Sequence, residues 1–268
     1  MSHLLTKSED SSAVRSDHRA VKPGFNSPTA PFFAPVPRFY SVLSQTLGHI
    51  QRVRRQVKQG TFDQPTLHRT MLEWGNEMLT CVGCEKTVVG HPGIQPMLFV
   101  GNHVSYMDIP LLMSVAPVSF VAKKQLAAWP LFGWGMKHAG VTFVDRECKE
   151  SRKKVGELIA PRILEEGQSV VIFPSGTTTL DEHRPWRHGP FQIAMKFNIP
   201  IQPFRLRYEP IRNVGFILED AFAGHLWNLL RQGKFQAFIE FAPPQWVTDP
   251  VADSEKWWEW SRAPLIEG

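Results

Sequence analysis

Cysteine is scarce: Cys81, Cys84 and Cys148 are the only three in 268 residues. That is too few for a disulfide framework, and one short of a four-thiolate zinc site even though Cys81 and Cys84 have metal-like spacing. No histidines stand at ligand spacing beside that pair, so neither a metal nor a cofactor is expected. Long apolar runs are missing too. The longest, Ile109 to Ala122, is broken by Pro110 and Pro117 and ends at Lys123 and Lys124, short of the ~20 residues that span a bilayer. No transmembrane helix is expected. With no basic-then-apolar leader near the start, the sequence predicts a reducing, intracellular setting. Tyrosine is rare, three residues against nine tryptophans. Indoles favour half-buried positions at ligand mouths and lipid interfaces, which adds weight to membrane contact.

Several motifs are absent as well. No Gly-Lys-Ser/Thr follows the apolar run Val170 to Phe173, which excludes a Walker loop. Phe173 stands where a serine-hydrolase elbow around Ser175 needs glycine. Neither a nucleic-acid reader motif nor a basic face with stacking aromatics is evident, so nucleic acid is not an expected partner.

What is present is a chain with 43% hydrophobic and 11% aromatic residues, enough for a substantial core, and a formal charge of +5 that favours anionic partners. Residues 1–37 are polar and punctuated by proline, reading as a mobile tail. From Phe39 the apolar residues Leu43, Leu47, Ile50, Val53 and Val57 recur at helical spacing, with Arg38, Arg52, Arg54, Arg55 and Lys58 among them. A second helical pattern, Leu67, Met71, Trp74, Met78 and Val82, completes an amphipathic hairpin over 38–83. Such a hairpin either packs on the main domain or lies among lipid headgroups, and sequence alone does not separate the two.

Short apolar runs then alternate with helical segments. Strands are expected at 97–100, 118–122, 141–144, 169–173, 201–206, 215–218 and 235–241, and helices at 109–115, 131–138, 149–166 and 189–197. Pro161 is expected to kink or divide the third of these helices. The fold class is therefore α/β: a mixed, mostly parallel sheet flanked by helices and preceded by the hairpin. The main domain is expected over 84–250, with a Trp-rich segment at 251–268.

The strongest chemical signal lies between Gly101 and Pro110. The apolar strand before it places His103 at a strand's exit. Asp108, followed by Ile109 and Pro110, resembles a helix N-cap. On one continuous helix five residues turn about 140°, so the two side chains meet only if a loop comes first. If they meet, they form a base and its orienting carboxylate. Otherwise Asp108 is a cap and His103 an ordinary loop histidine.

Three further segments carry weaker signals. Val141 to Val144 runs into Asp145 and Arg146, whose planar guanidinium suits phosphate recognition, or else a surface ion pair. The strand Val170 to Phe173 enters a hydroxyl-rich turn, Ser175, Gly176, Thr177, Thr178 and Thr179, able to cradle an anion. Ile199 to Leu206 is a proline-flanked strand, with Pro203 pointing to an edge or a bulge.

In order and spacing, these four segments resemble the glycerolipid acyltransferase family of PlsC-type 1-acylglycerol-3-phosphate acyltransferases. Asn102, His103 and Asp108 match its catalytic motif, and Gly140 to Arg146 its acceptor-binding motif. Phe173 to Thr177 is similar to its Phe-Pro-Glu-Gly-Thr segment, and Ile199 to Phe204 to its last strand. Lys123 to Leu126 and Trp129 to Trp134 resemble the stretch between the first two motifs. Two departures stand out: Ser175 replaces the usual glutamate, and Thr178 replaces an arginine.

The resemblance implies a peripheral or monotopic enzyme at the cytoplasmic face of a membrane. It would move an acyl chain from acyl-CoA or acyl carrier protein to a lysolipid hydroxyl, in the first instance that of 1-acylglycerol-3-phosphate. The alternatives are another lysolipid acceptor, or a lipid-binding protein without catalysis. His103 and Asp108 would be catalytic. Lys123, Arg146, Ser175, Gly176, Thr177 and Thr178 would bind substrate.

Overall fold

The computed structural model describes residues 35–263, apart from 129–131, 146–147, 149, 152–153 and 218–219. Residues 1–34 of the expected tail and the expected substrate residue Arg146 therefore lie outside the described residues.

Two long helices come first, α1 (Pro35–Lys58) and α2 (Gln64–Val82). α1 begins at Pro35, so 35–37, expected as the end of the mobile tail, are its first residues, and the Asp63 carboxylate caps α2 by accepting from the Thr66 amide at 2.9 Å. The hairpin is fastened to the rest of the chain by Arg38, whose Nη1 donates to the Gln232 carbonyl at 2.6 Å and more weakly to those of Val82 and Leu230. A cation at helix C-termini also meets the negative end of their dipoles. Arg52 pairs with Glu73 at 2.8 Å, and Arg54 lies 4.6 Å over the Trp134 ring, so part of the basic face is used internally. Val36, Phe39, Tyr40 and Val57 remain exposed on α1.

Seven strands follow: β1 (Cys84–Val89), β2 (Leu98–Gly101), β3 (Val118–Lys123), β4 (Thr142–Val144), β5 (Ser169–Ile172), β6 (Ile201–Glu209) and β7 (Phe235–Phe241). They form one sheet in the order β1-β7-β6-β2-β5-β3-β4. β6 and β7 are antiparallel; the other neighbouring pairs are parallel. Helices between them are α3 (Asp108–Met113), α4 (Phe132–His138), α5 (Val155–Leu164), α6 (Gly189–Lys196), α7 (Ile211–Val214) and α8 (Phe222–Arg231), and α9 (Pro250–Arg262) closes the chain.

The central strands are buried on both faces, which is why they read as unbroken apolar runs. Phe99, Val171, Phe204 and Ile239 pack under the hairpin, α3 and α8, while Leu98, Val100, Val170 and Ile201 pack under α5, α6 and α9. Tryptophan mostly serves this packing. Trp186 and Trp257 are buried, Trp260 lies under Arg205 and Trp258 under Arg262, leaving Trp246 as the one exposed indole among the described residues.

Several expectations change. β1 was not foreseen, because an edge strand with a mostly exposed surface has little apolar signal. The strand expected at 215–218 is absent over Gly215 to Ile217. There the chain leaves α7, and the Phe216 amide donates to the Val104 carbonyl at 2.9 Å without the regular pairing of a ladder. Leu218 lies outside the described residues. Pro161 stands inside α5 without dividing it. Pro203 lies in an interior strand, but the ladder with β7 begins only at Phe204, so its missing N–H falls where regular pairing has ended. No helix among the described residues is long and apolar enough to cross a membrane.

Candidate active site

β2, β3, β4 and β5 run parallel, so their carboxyl ends share one edge, the side on which open α/β sheets bind ligands. His103 lies two residues beyond β2 and Phe173 directly beyond β5. Only glycine fits at the end of β2: a Cβ on Gly101 would stand 2.4 Å from the Phe204 ring. Asn102 then extends the pairing of β2 with β6 through its side chain. Its Oδ1 accepts from the Leu206 amide at 2.7 Å, and its Nδ2 donates to the Leu206 carbonyl at 2.9 Å. The backbone of His103 leaves the sheet from a fixed point.

Asp108 is fully buried, and the loop 103–107 wraps around its carboxylate. Oδ2 accepts from His103 Nδ1 at 2.6 Å and from the amides of Val104 at 2.7 Å and Ser105 at 3.1 Å. Oδ1 accepts from the Tyr208 hydroxyl at 2.8 Å. The predicted N-cap role is not what the geometry shows. Asp108 is the first residue of α3, and its oxygens turn back to the preceding loop instead of to the helix's own amides. Four donors offset the cost of burying a charge that no lysine or arginine among the described residues pairs with. Burial and the Asp108 charge push the Tyr208 phenol well above its ordinary range, which keeps it protonated as a donor.

A carboxylate can only accept, so His103 carries its proton on Nδ1 and turns an unprotonated Nε2 outward. The imidazole stacks on Phe173, centroids 3.9 Å apart and planes within 8°, and its side chain is 19% exposed. The other links of this stack lead away from solvent. Phe173 also stacks with Phe120 at 6.4 Å, and Phe120 lines an apolar cavity of 240 Å³ between the hairpin, α3, α4 and the sheet. Ile109, adjacent to the buried carboxylate, lines it as well.

The third segment folds into a tight turn. Ser175 is buried and its hydroxyl donates to the Thr177 carbonyl at 2.8 Å, which makes it a turn-former; Gly176 has φ 74°. The Thr179 amide donates to the His103 carbonyl at 2.8 Å, so this turn and the base share a strut. Thr177 and Thr178 are partly exposed at its crest. Lys123 is exposed at the end of β3 and makes no hydrogen bond to the dyad. Cys84, in the edge strand β1, has its thiol pushed up to about 12 by burial, which keeps it protonated and poorly nucleophilic.

Sequence reasoning missed Tyr208, Phe173 as a stacking partner, and Glu182. Tyr208 comes from a strand 100 residues away and had no local signal, although continuing the β6 alternation past Leu206 would have placed it in the sheet. Glu182 is buried, accepting from the Thr179 hydroxyl at 2.7 Å and the Trp186 indole at 2.6 Å. Burial pushes its carboxyl upward.

A seven-stranded mixed sheet thus presents a histidine locked to a buried aspartate beside an apolar cavity, a base next to room for a chain. The chain belongs to the acyltransferase family, whose profile matches residues 83–207. It is 35% identical over 188 residues to the lyso-ornithine lipid O-acyltransferase of Pseudomonas aeruginosa, covering 67% of this chain and 71% of that one. Against the enzyme of the same name from Rhizobium meliloti it is 44% identical over 165 residues, 55% of this chain and 56% of the relative. The 1-acyl-sn-glycerol-3-phosphate acyltransferase of Neisseria meningitidis is 29% identical over 147 residues, 53% of this chain and 56% of that one. The fold matches the crystal structure of PlsC, the 1-acyl-sn-glycerophosphate acyltransferase of Thermotoga maritima, with a TM-score of 0.61 and 17% identity, over 84% of this chain and 95% of that one.

Proposed function

We propose that this protein transfers a fatty acyl chain from a thioester, acyl-CoA or acyl carrier protein, to the hydroxyl of a lysolipid at a membrane surface. The observation that carries the reading is the His103–Asp108 bond, which leaves Nε2 as a base at the mouth of the carboxyl edge. Nε2 removes the hydroxyl proton as the acceptor oxygen attacks the thioester carbonyl, and Asp108 stabilises the imidazolium that forms. The thiolate leaves and takes the proton back. No acyl-enzyme and no cofactor enter this sequence, because the substrate itself is the nucleophile. The apolar cavity beside Phe120 suits the acyl chain, and the exposed Phe39 and Tyr40 on α1 suit insertion among lipid headgroups.

For the acceptor, a lyso-ornithine lipid is favoured by the relatives from Pseudomonas aeruginosa and Rhizobium meliloti and by the neutral residues Ser175 and Thr178 in the third segment. A zwitterionic amino-acid headgroup demands less positive charge there than a phosphate monoester does. The relative from Neisseria meningitidis keeps 1-acylglycerol-3-phosphate as the second reading. The test is an acceptor panel with radiolabelled acyl-CoA and acyl carrier protein. Transfer to lyso-ornithine lipid above lysophosphatidic acid is expected; the reverse preference selects the second reading, and transfer to neither rejects both.

A further inference from the structure

The cation missing at Thr178 returns from farther along the chain. Residues 174–187 form a closed loop, with the Arg187 amide donating to the Pro174 carbonyl at 3.2 Å. Its centre is Glu182, 5% exposed and at φ 48°. Both oxygens of that carboxylate are held, by Thr179 and by Trp186, and the Glu182 carbonyl accepts from the Trp258 indole at 3.0 Å. A non-glycine residue in the left-handed region persists only where its surroundings over-determine it, and here they do. The loop therefore has one shape, and Thr179 ties that shape to the backbone of His103.

This shape lays the Arg187 guanidinium on Gly176. A Cβ at Gly176 would be 3.1 Å from Arg187 Cζ and 3.3 Å from each terminal nitrogen. Arg184, in the same loop and exposed as Arg187 is, makes no such approach. Among the described residues, neither the Arg187 guanidinium nor the amides of Thr177 and Thr178 have a hydrogen-bond acceptor. Two successive backbone amides in a turn, next to a planar guanidinium, make a concave donor set for an oxyanion.

We propose that Arg187, with the amides of Thr177 and Thr178, binds the anionic group of a substrate whose reacting end lies at His103; the proposal rests on the acyl-transfer reading above. The ligand chemistry is a carboxylate or phosphate, from the lysolipid headgroup or from the pantetheine arm of the donor. Arg187 reaches the turn although it lies eleven residues beyond Gly176, so the site is assembled by the Glu182 loop and not by contiguous sequence.

The experiment compares wild type with Arg187→Gln, Arg187→Lys and Gly176→Ala, whose Cβ would displace the guanidinium. In Arg187→Gln, KM for the substrate that supplies the anion rises about 10- to 100-fold while kcat stays within about threefold; Arg187→Lys recovers part of the loss and Gly176→Ala follows Arg187→Gln. A rise confined to the acceptor assigns the anion to the headgroup, and a rise confined to the donor assigns it to the pantetheine phosphate. A second arm titrates a short-chain lysophosphatidic acid, a short-chain lyso-ornithine lipid and desulfo-CoA by calorimetry into His103→Ala, with and without Arg187→Gln. That arm needs no turnover, so loss of all transfer in the wild type would reject the enzymatic reading while leaving the anion site testable. Unchanged KM for both substrates together with unchanged binding in the paired variants would overturn the proposal.

Discussion

The Tyr208 hydroxyl donates to Asp108 Oδ1 at 2.8 Å, on the side of the carboxylate opposite His103. A strand from the far end of the chain thus fixes the carboxylate that fixes the base. Tyr208→Phe removes this donor and leaves the buried charge one hydrogen bond short. We expect a loss of about 1–3 kcal/mol in stability and about tenfold in kcat, with KM little changed. Urea unfolding and steady-state kinetics on the same preparation check it; an unaltered kcat would show that the remaining donors suffice.

Gly101→Ala places a methyl against the Phe204 ring, 2.4 Å away. Either the ring or the exit of β2 must shift, costing about 1–3 kcal/mol. Because Asn102 and His103 follow directly, activity should fall further than stability does. Chemical denaturation alongside kcat/KM separates the two effects.

Much of the site was legible in sequence. The spacing of His103 and Asp108, the strand before them and the hydroxyl turn at Ser175 all depend on nearby residues, and each sits where local pattern places it. The cap resemblance of Asp108 does not carry over, because its backward bonds to Val104 and Ser105 depend on the loop's path, which composition does not encode. Tyr208 and Glu182 act through contacts formed only once β6 and the 174–187 loop are in place. In the fold, β1 and α9 went unseen for a related reason: β1 has little buried surface, and 251–268 showed only as a Trp-rich segment because its indoles are placed by contacts with Arg205, Glu182 and one another.

Glu182 predicts a pH dependence. Burial raises its folded-state pKa above the ordinary 4.5. As pH climbs past that value the unfolded chain releases the proton first, so this group's contribution to stability declines until the folded-state pKa is passed. Glu182→Gln cannot ionise and should show a flatter stability profile from pH 4.5 upward than the wild type. Equal slopes in urea denaturation across that range would contradict the assignment.

Gly135 lines the apolar cavity, where a Cβ would meet Ile50 at 3.7 Å, ordinary contact. Gly135→Leu should therefore fold while occupying space otherwise open to a chain. If the cavity holds the acyl group, long-chain donors lose about tenfold in kcat/KM relative to short ones, on the order of the one to three kcal/mol a few methylenes contribute in a pocket. A uniform loss across chain lengths would place the acyl group elsewhere.

The central claim is that His103, oriented by Asp108, is the base. It is tested by following thiol release and lipid product together in wild type and His103→Ala, with lysolipid and acyl thioester both saturating. The account predicts coupled release and transfer in the wild type and a fall of about 10²- to 10⁴-fold in the variant, with calorimetric binding of the acceptor retained. Full transfer by His103→Ala would contradict it.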